Sequence, residues 1–255
     1  MRHPGSLLGF VLILTLTACG SPDPAPDPAA PAASTTPTTS APVFASPSPT
    51  GAATQETSDG CPANDVPVPT DADPVAIGDV DRDGRPDTAF YTEANGFYYG
   101  IRTGSGATIL LDDDLAGPGK HNGWTSIREK ATVTVLDDSR TASLHAFIDC
   151  AFVTTVDHNG EPYRFGLKGF SDYGTGVQCT DDNGGGLLYG VLAKRRNDGL
   201  YDITRTQILP EDSGRAARNG PTDVVAEGLP ADDSQVALAM RSTCGEAPIV
   251  STSGR

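Results

Sequence analysis

Short runs of β-branched and aromatic residues, interrupted by turn-forming pairs, recur along most of the chain after residue 60. Asn-Gly or Asp-Gly pairs stand between such runs at 95–96, 159–160 and 198–199. These pairs are strong hairpin signals because both residues tolerate positive φ. The pattern predicts three hairpins, which pair Thr88–Thr92 with Phe97–Thr103, Leu144–Val156 with Tyr163–Lys168, and Leu187–Lys194 with Leu200–Ile208. It also predicts strands at Ala107–Leu111 and Thr132–Leu136, whereas Gln235–Met240 fits either a last strand or a short helix.

A pattern of aromatic, glycine and aliphatic residues recurs in three of the predicted strands: Tyr99-Gly100-Ile101, Phe165-Gly166-Leu167 and Tyr189-Gly190-Val191. The recurrence indicates a degenerate internal repeat. Two or three such units are too few to close a β-propeller. We therefore expect an all-β domain of propeller-like or packed antiparallel sheets, built from degenerate blade repeats.

The first 19 residues have the features of an export signal. Arg2 supplies a positive charge, and the apolar run from Leu7 to Thr17 is too short to span a bilayer. The run ends in Leu16-Thr17-Ala18-Cys19, which resembles the lipobox of bacterial lipoproteins. In a lipobox the cysteine is diacylated and becomes the mature N-terminus. The resemblance implies lipid attachment at Cys19 and a position on the outer face of the cytoplasmic membrane. The alternative is an ordinary cleaved signal peptide with an incidental cysteine.

Residues 20–60 consist almost entirely of Pro, Ala, Ser and Thr with a few acidic residues. Val43 and Phe44 are the only large apolar side chains there, so the segment cannot bury enough surface to offset its conformational entropy. Frequent prolines keep such a chain extended. We therefore expect a disordered linker at 20–60, an all-β domain at 61–248 and a flexible polar tail at 249–255.

The charge of the chain limits its partners. It carries 33 acidic against 18 basic residues, for a formal net charge of −15 at pH 7. Proteins bind nucleic acids and anionic lipid surfaces through basic patches. The excess of acidic residues therefore argues against both kinds of partner. The partners that we expect are the membrane, through the N-terminal lipid, and a cell-wall glycan or another surface protein.

Four cysteines follow Cys19, and an even number in an exported chain predicts two disulfides. They are Cys61, Cys150, Cys179 and Cys244, which allow three pairings. Cys61 and Cys244 bracket the domain, while Cys150 and Cys179 bracket one internal unit. This bracketing favours Cys61–Cys244 with Cys150–Cys179. The chain has no C-x-x-C motif, so a zinc knuckle or a thioredoxin-type redox centre is not indicated.

The most specific motif lies between residues 75 and 90. Four aspartates, Asp79, Asp81, Asp83 and Asp87, stand at positions 1, 3, 5 and 9 of a loop, with Gly84 at position 6. The glycine permits a sharp turn, and Arg85 at position 7 offers its backbone carbonyl. Ca²⁺ takes six to eight hard oxygen ligands in flexible turns of this kind. The pattern predicts a calcium site, and the alternative is a solvated acidic turn without metal.

This loop is not an EF-hand, because Phe90 stands where the bidentate glutamate is needed and the flanks read as strands rather than helices. D-x-D-x-D-G-x-x-D between two strands resembles the calcium loop of FG-GAP and VCBS-type repeats, the blades of integrin-like β-propellers. The resemblance covers about residues 74–91. A degenerate copy occurs at 133–147, where Asp138 is present but Arg140 and Thr141 replace a carboxylate and the glycine, so we expect no metal there.

No catalytic constellation is recognisable in the sequence, which lacks a G-x-S-x-G nucleophile elbow. The loop at 117–124 carries Lys120, His121 and Trp124, the only tryptophan of the chain. An aromatic side chain with polar neighbours on a loop predicts a ligand contact. The alternative, which we favour, is a tryptophan that fills the gap between two sheets.

Taken together, these features predict a non-enzymatic, calcium-stabilised extracytoplasmic module with a binding or scaffolding role. One alternative is a hydrolase of cell-wall or other polysaccharide in which the calcium is structural. The second alternative is a structural spacer without a ligand.

Overall fold

Three β-sheets and one short helix make up the residues that the structure describes. The structure is a computed structural model, and it describes residues 60–94, 96–115, 119–167, 172–180 and 186–252. Cys19, the predicted signal peptide and all but the last residue of the predicted linker lie outside this range. The mostly-β architecture confirms the predicted fold class of packed sheets, and the described strands do not close into a propeller.

The first sheet is an antiparallel meander that follows the chain in order. Its strands are β1 (Val75–Ala76), β2 (Thr88–Thr92), β3 (Tyr98–Arg102) and β4 (Thr108–Asp112). The predicted hairpin between the second and third of these strands is confirmed, with Thr88 opposite Arg102 and Thr92 opposite Tyr98. The loop between β1 and β2 carries the four aspartates of the predicted calcium site.

The second sheet is built around a four-stranded antiparallel meander, to which two strands from later in the chain are added. Its strands are β5 (Asn122–Ile127), β6 (Thr132–Asp137), β7 (Thr141–Ile148), β8 (Ala151–Thr154), β9 (Arg164–Gly166) and β15 (Val250–Ser251). They run in the order β15-β5-β6-β7-β8, and β9 also pairs with β7. The sheet therefore joins the middle of the domain to its C-terminal end.

The third sheet contains the longest strands and the helix. Its strands are β10 (Tyr173–Thr180), β11 (Leu187–Arg195), β12 (Tyr201–Glu211), β13 (Ala216–Leu229) and β14 (Ser242–Cys244), in the order β13-β12-β11-β10-β14. The predicted hairpin of β11 with β12 is confirmed. The segment that fitted either strand or helix forms α1 (Ser234–Ala239), and the side chain of Asp233 caps it by accepting a hydrogen bond from the amide of Gln235. No helix in the described part of the chain is long and apolar enough to cross a membrane.

Apolar clusters hold these layers together. Tyr99 of the first sheet packs with Leu136 of the second sheet, and both are fully buried. Trp124 of the second sheet packs with Val177 of the third. Val236 of α1 belongs to a separate cluster on the other face of the third sheet. Burial on both sides of a sheet in this way makes the sheets mutually dependent for their stability.

The second predicted hairpin is wrong in its first strand. The run Leu144–Val156 is not one strand, because the chain turns back between β7 and β8, where Ile148 pairs with Ala151. Asp149 and Cys150 occupy this turn with φ of 51° and 62°. Positive φ at both central residues is the geometry of a two-residue hairpin turn. The sequence did not predict this turn because Asp-Cys lacks the glycine that usually marks one.

The predicted disulfide pairing is also wrong. The structure joins Cys61 to Cys150 and Cys179 to Cys244, with Cα–Cα distances of 5.5 and 4.4 Å. The prediction rested on positions along the chain, whereas pairing depends on proximity in the fold. Strand β14 lies parallel to β10, which places Cys244 directly opposite Cys179.

The predicted flexible tail at 249–255 is wrong for its first residues. Val250 is 4 % exposed and pairs with Gly123 in the second sheet. The amide of Thr252 donates to the carbonyl of His121 at 2.9 Å. The folded domain therefore extends at least to Thr252, and residues 253–255 lie outside the described range.

Candidate metal centre

Backbone hydrogen bonds close the loop between β1 and β2 at its base. The amide of Ile77 donates to the carbonyl of Asp87 at 2.8 Å, and the amide of Asp87 donates to the carbonyl of Gly78 at 3.4 Å. Within the loop, Arg82 and Gly84 have φ of 61° and 84°. These two residues in the left-handed conformation reverse the direction of the chain. The aspartate side chains of the loop can therefore point to the same place.

Three of the predicted ligands converge there. One carboxylate oxygen from each of Asp79, Asp81 and Asp87 lies within 4.8 Å of the other two. Asp87 is 1 % exposed, and the other two side chains are half-buried. This cluster could hold a metal ion. In the described part of the chain, it is the one group of at least three acidic, histidine or cysteine side chains with this convergence.

Backbone amides orient the carboxylates of the cluster. The amides of Val80 and Gly104 donate to the two oxygens of Asp87 at 2.7 and 2.8 Å. The amide of Gly84 donates to Asp79 Oδ2 at 2.8 Å. Each carboxylate oxygen retains acceptor capacity after one hydrogen bond, so these contacts position the ligands without consuming them. The ligands are therefore ordered before any cation binds.

Asp83 is not one of the three carboxylates that converge. Asp83 Oδ1 accepts a hydrogen bond from the amide of Arg85 at 2.7 Å. Asp83 Oδ2 is buried and has no hydrogen-bond partner among the described residues. A carboxylate oxygen left without water or a partner costs free energy, which a neighbouring cation offsets. The roles of Asp83 and Arg85 as ligands stay predictions.

The electrostatics of the cluster favour a cation. Burial raises the pKa of Asp87 above its usual value, and the negative charges of Asp81 and Asp79 raise that pKa further. The amides of Gly104 and Val80 act in the opposite direction. A divalent cation at this point would stabilise the ionised form of all three carboxylates and remove their mutual repulsion.

The cluster is tied to the first residues of the domain. The amide of Cys61 donates to Asp81 Oδ2 at 2.8 Å. The hydroxyl of Ser105 lies 3.0 Å from Asp81 Oδ2 and 2.7 Å from the carbonyl oxygen of Cys61. Gly60 must lack a side chain here, because a Cβ on it would lie 2.6 Å from the Cβ of Asp83. The candidate metal centre therefore sits beside the first residues that the structure describes.

Sequence reasoning missed these supporting residues. Cys61, Gly104 and Ser105 are 20, 17 and 24 residues away from the carboxylates that they contact. No local spacing connects them to the aspartate motif. The Gly-Ser-Gly turn at 104–106 carries two of them, and its composition indicates a turn but not a contact with the loop.

The degenerate copy of the loop lies in the turn between β6 and β7. Asp138 Oδ1 accepts hydrogen bonds from the amides of Arg140 and Thr141 at 2.8 and 2.7 Å. Asp137 Oδ1 accepts one from the amide of Ser139 at 3.1 Å. Both acids are buried and stabilise a tight turn. Asp138 thus offers a matched control for the aspartates of the candidate metal centre.

The prediction of a ligand loop around Trp124 is wrong, and the alternative of a tryptophan between two sheets is confirmed. Trp124 lies in β5 and is 0 % exposed. It packs between the second and third sheets, and its Nε1 donates to Ser242 Oγ at 3.0 Å. The indole therefore has no face available to a ligand. Lys120 is exposed and precedes the strand.

His121 is buried as well and belongs to a polar network. Its Nδ1 lies 2.6 Å from Asp113 Oδ2, and both side chains are 0 % exposed. The hydroxyl of Tyr91 donates to the same carboxylate oxygen. The ring of Phe97 stacks on the imidazole at 4.3 Å. Burial and the charge of Asp113 raise the pKa of Tyr91, so its hydroxyl keeps its proton and remains a donor.

No family model matches this chain, and neither a curated protein nor a solved structure matches it. Its function is therefore inferred from its own residues and contacts. The resemblance to FG-GAP and VCBS-type calcium loops remains limited to the motif at 74–91.

Proposed function

We propose that this protein is a calcium-stabilised extracytoplasmic module with a binding or scaffolding role, held at the membrane by a lipid on Cys19. The observation that carries the proposal is the convergence of Asp79, Asp81 and Asp87. The donor set consists of carboxylate oxygens in a turn closed by glycine. Ca²⁺ prefers such a set, whereas Zn²⁺ in proteins is usually bound by cysteine and histidine.

Two disulfides indicate an extracytoplasmic protein, since such bonds persist in oxidising compartments. The lipobox-like Leu16-Thr17-Ala18-Cys19 supports a membrane anchor. In this arrangement the proline-rich segment would act as a tether that ends at the calcium centre. Incorporation of labelled palmitate into the wild-type protein but not into Cys19→Ser would test the anchor, and equal labelling or none in both would contradict it.

Calcium should raise the melting temperature of the domain. A ligand at ten to a hundred times its dissociation constant stabilises the native state by about 1–3 kcal/mol. For a domain of this size, each kcal/mol corresponds to about 2–4 °C. Calorimetry in EDTA, in Ca²⁺ and in Mg²⁺ measures the effect, and we expect Ca²⁺ to exceed Mg²⁺ because Mg²⁺ dehydrates reluctantly.

Paired variants separate metal binding from turn stability. Asp81→Asn keeps the shape and one acceptor of the side chain but removes its charge, so the response to Ca²⁺ should fall sharply. Asp138→Asn makes the same change in the degenerate copy and should preserve the full response. A wild-type melting curve that ignores both EDTA and Ca²⁺ would reduce the loop to an acidic turn.

The binding role is tested by pull-down of the calcium-loaded protein with isolated cell wall and with surface proteins, beside a panel of polysaccharide substrates. Retention without turnover is the expected result. Turnover of a polysaccharide would replace the proposal with the hydrolase alternative. If the protein neither binds these materials nor turns over a polysaccharide, the alternative of a structural spacer would replace the proposal.

A further inference from the structure

A cavity of ≈ 90 Å³ lies on the face of the third sheet that carries α1. Strands β10, β11 and β12 supply its floor, and α1 forms one wall. Tyr189, Val191 and Ile203 give the floor an apolar surface, while Thr180 and Arg205 place polar groups at the same cavity. A cavity with an apolar lining and a few polar groups is the usual form of a small-molecule site.

The guanidinium of Arg205 lies over an aromatic ring. Its Cζ lies 4.6 Å from the centroid of the Tyr189 ring. The nearest acid is Asp223, whose Oδ2 is 3.9 Å from Arg205 Nε and thus beyond hydrogen-bond distance. The Nε atom is buried and has no hydrogen-bond partner among the described residues. The side chain as a whole is 32 % exposed, so the outer nitrogens of the guanidinium remain accessible.

Two other arginines of the domain hold acids at hydrogen-bond distance. Arg164 and Arg218 donate hydrogen bonds to Asp114 and Glu211 at 2.7 and 2.5 Å. The side chain of Arg205 makes no hydrogen bond to any described residue, although an arginine side chain carries five N–H donors. The contact with Tyr189 fixes the position of the cation but leaves these donors unused.

Thr180 supplies the second orphaned group of the cavity. Its Oγ1 is buried and has no hydrogen-bond partner in the described part of the chain. Thr180 and Tyr189 share the same face of the third sheet, because Gln178 pairs with Tyr189 and side chains two residues apart lie on one face. A valine would fill this position without leaving a hydroxyl unpaired, so packing alone does not explain the threonine.

We propose that this cavity binds a small carboxylate with a compact apolar body. The guanidinium of Arg205 would donate to the carboxylate, Thr180 would donate its hydroxyl, and the apolar body would lie against Val191 and Ile203. One cation and a small apolar floor suit a monoanion, whereas Asp223 close by disfavours a dianion. This inference goes beyond the proposed function, since neither calcium nor the lipid anchor takes part in it.

The affinity should be weak because the whole chain is strongly acidic. The formal net charge of −15 repels anions over a distance that salt limits. At physiological ionic strength that distance is about 8 Å. We therefore expect a dissociation constant of about 1 mM for a minimal ligand, with no more than a modest dependence on salt.

The test is an NMR titration of the calcium-loaded, disulfide-bonded domain with isobutyrate, with its amide isobutyramide and with methyl phosphate. Isobutyrate should shift the amide signals of residues around Thr180, Tyr189 and Arg205 and saturate in the millimolar range. Isobutyramide should bind at least 10-fold more weakly, because it lacks the charge that Arg205 recognises. Equal shifts with isobutyrate and isobutyramide, or tighter binding of methyl phosphate, would overturn the assignment.

Substitutions of Arg205 and Thr180 test whether isobutyrate binds in this cavity. Arg205→Gln should weaken isobutyrate binding at least 10-fold, and Arg164→Gln, which removes an exposed cation outside the cavity, should leave it unchanged. Thr180→Val should weaken binding about 3-fold while the melting temperature stays the same or rises, since it removes an unpaired buried hydroxyl. Unchanged binding in both Arg205→Gln and Thr180→Val would refute the site. Repeating the wild-type titration in EDTA separates this result from the calcium proposal.

Discussion

Trp124→Ala should lower the free energy of unfolding by about 3–5 kcal/mol, the usual cost of truncating a buried tryptophan. The side chain is 0 % exposed and lies between the second and third sheets. Its Nε1 also donates to Ser242 Oγ at 3.0 Å, so truncation leaves a cavity and removes this hydrogen bond. The melting temperature should fall by roughly 6–20 °C, and denaturant unfolding followed by circular dichroism measures the change.

Two controls show whether packing causes the loss. Trp124→Phe keeps most of the apolar volume and should cost clearly less than alanine. Val224→Ala truncates an apolar side chain that is 64 % exposed on a strand of the third sheet, and should cost less than about 0.5 kcal/mol. If Trp124→Ala were as mild as Val224→Ala, the indole would not be the element that joins the two sheets.

The parts of the fold that the sequence predicted are those governed by local turn chemistry. Asp198-Gly199 joins β11 to β12, and Gly199 has a φ of 87°, which glycine adopts without strain. Period-two alternation then fixes which side chains face the core in each hairpin. Strand pairs of this kind need no information from distant residues.

The aromatic-glycine pattern, by contrast, does not mark equivalent positions of a repeat. Its three copies fall in β3, β9 and β11, one in each sheet. Gly100 is required because a Cβ on it would lie 2.2 Å from the ring of Phe90, its cross-strand partner. A Cβ on Gly166 would meet nothing within 4 Å. The same three letters therefore arise from different packing requirements.

Long-range pairing could not be predicted from the sequence. Residues 242–244 lie beside β10 because α1 returns the chain across the third sheet, and no local signal specifies that return. The same holds for Val250, which pairs with Gly123 at the edge of the second sheet. These contacts join segments more than 60 residues apart, so their loop-closure entropy is offset only by the assembled core.

The candidate metal centre also has a part that the sequence predicts and a part that depends on long-range contacts. The spacing of the aspartates predicted the three converging carboxylates, since position in a tight turn determines where each side chain points. The amides of Cys61 and Gly104, which orient Asp81 and Asp87, come from other elements. A ligand set can thus be read from a motif, whereas its preorganisation depends on the tertiary structure.

The disulfide between Cys61 and Cys150 should be the strongest covalent contribution to the stability of the first two sheets. The two cysteines are 89 residues apart. For a loop of this length, the loop-closure estimate gives about 4–5 kcal/mol, and measured losses run from about 2 to 5 kcal/mol. The double variant Cys61→Ser with Cys150→Ser should lose stability in this range, measured by denaturant unfolding under non-reducing conditions.

Thiol titration of the same variant tests the pairing itself. With Cys179 joined to Cys244, no cysteine of the folded domain has a free thiol in the double variant, whereas the pairing predicted from the sequence would leave both of these cysteines without their partners. Cys61→Ser combined with Cys179→Ser serves as the control, since it should free Cys150 and Cys244. Because Cys61 also donates its amide to Asp81, loss of its disulfide should weaken the response to calcium as well. A double variant that keeps the full calcium response would show that the metal centre orders the start of the domain without help from the disulfide.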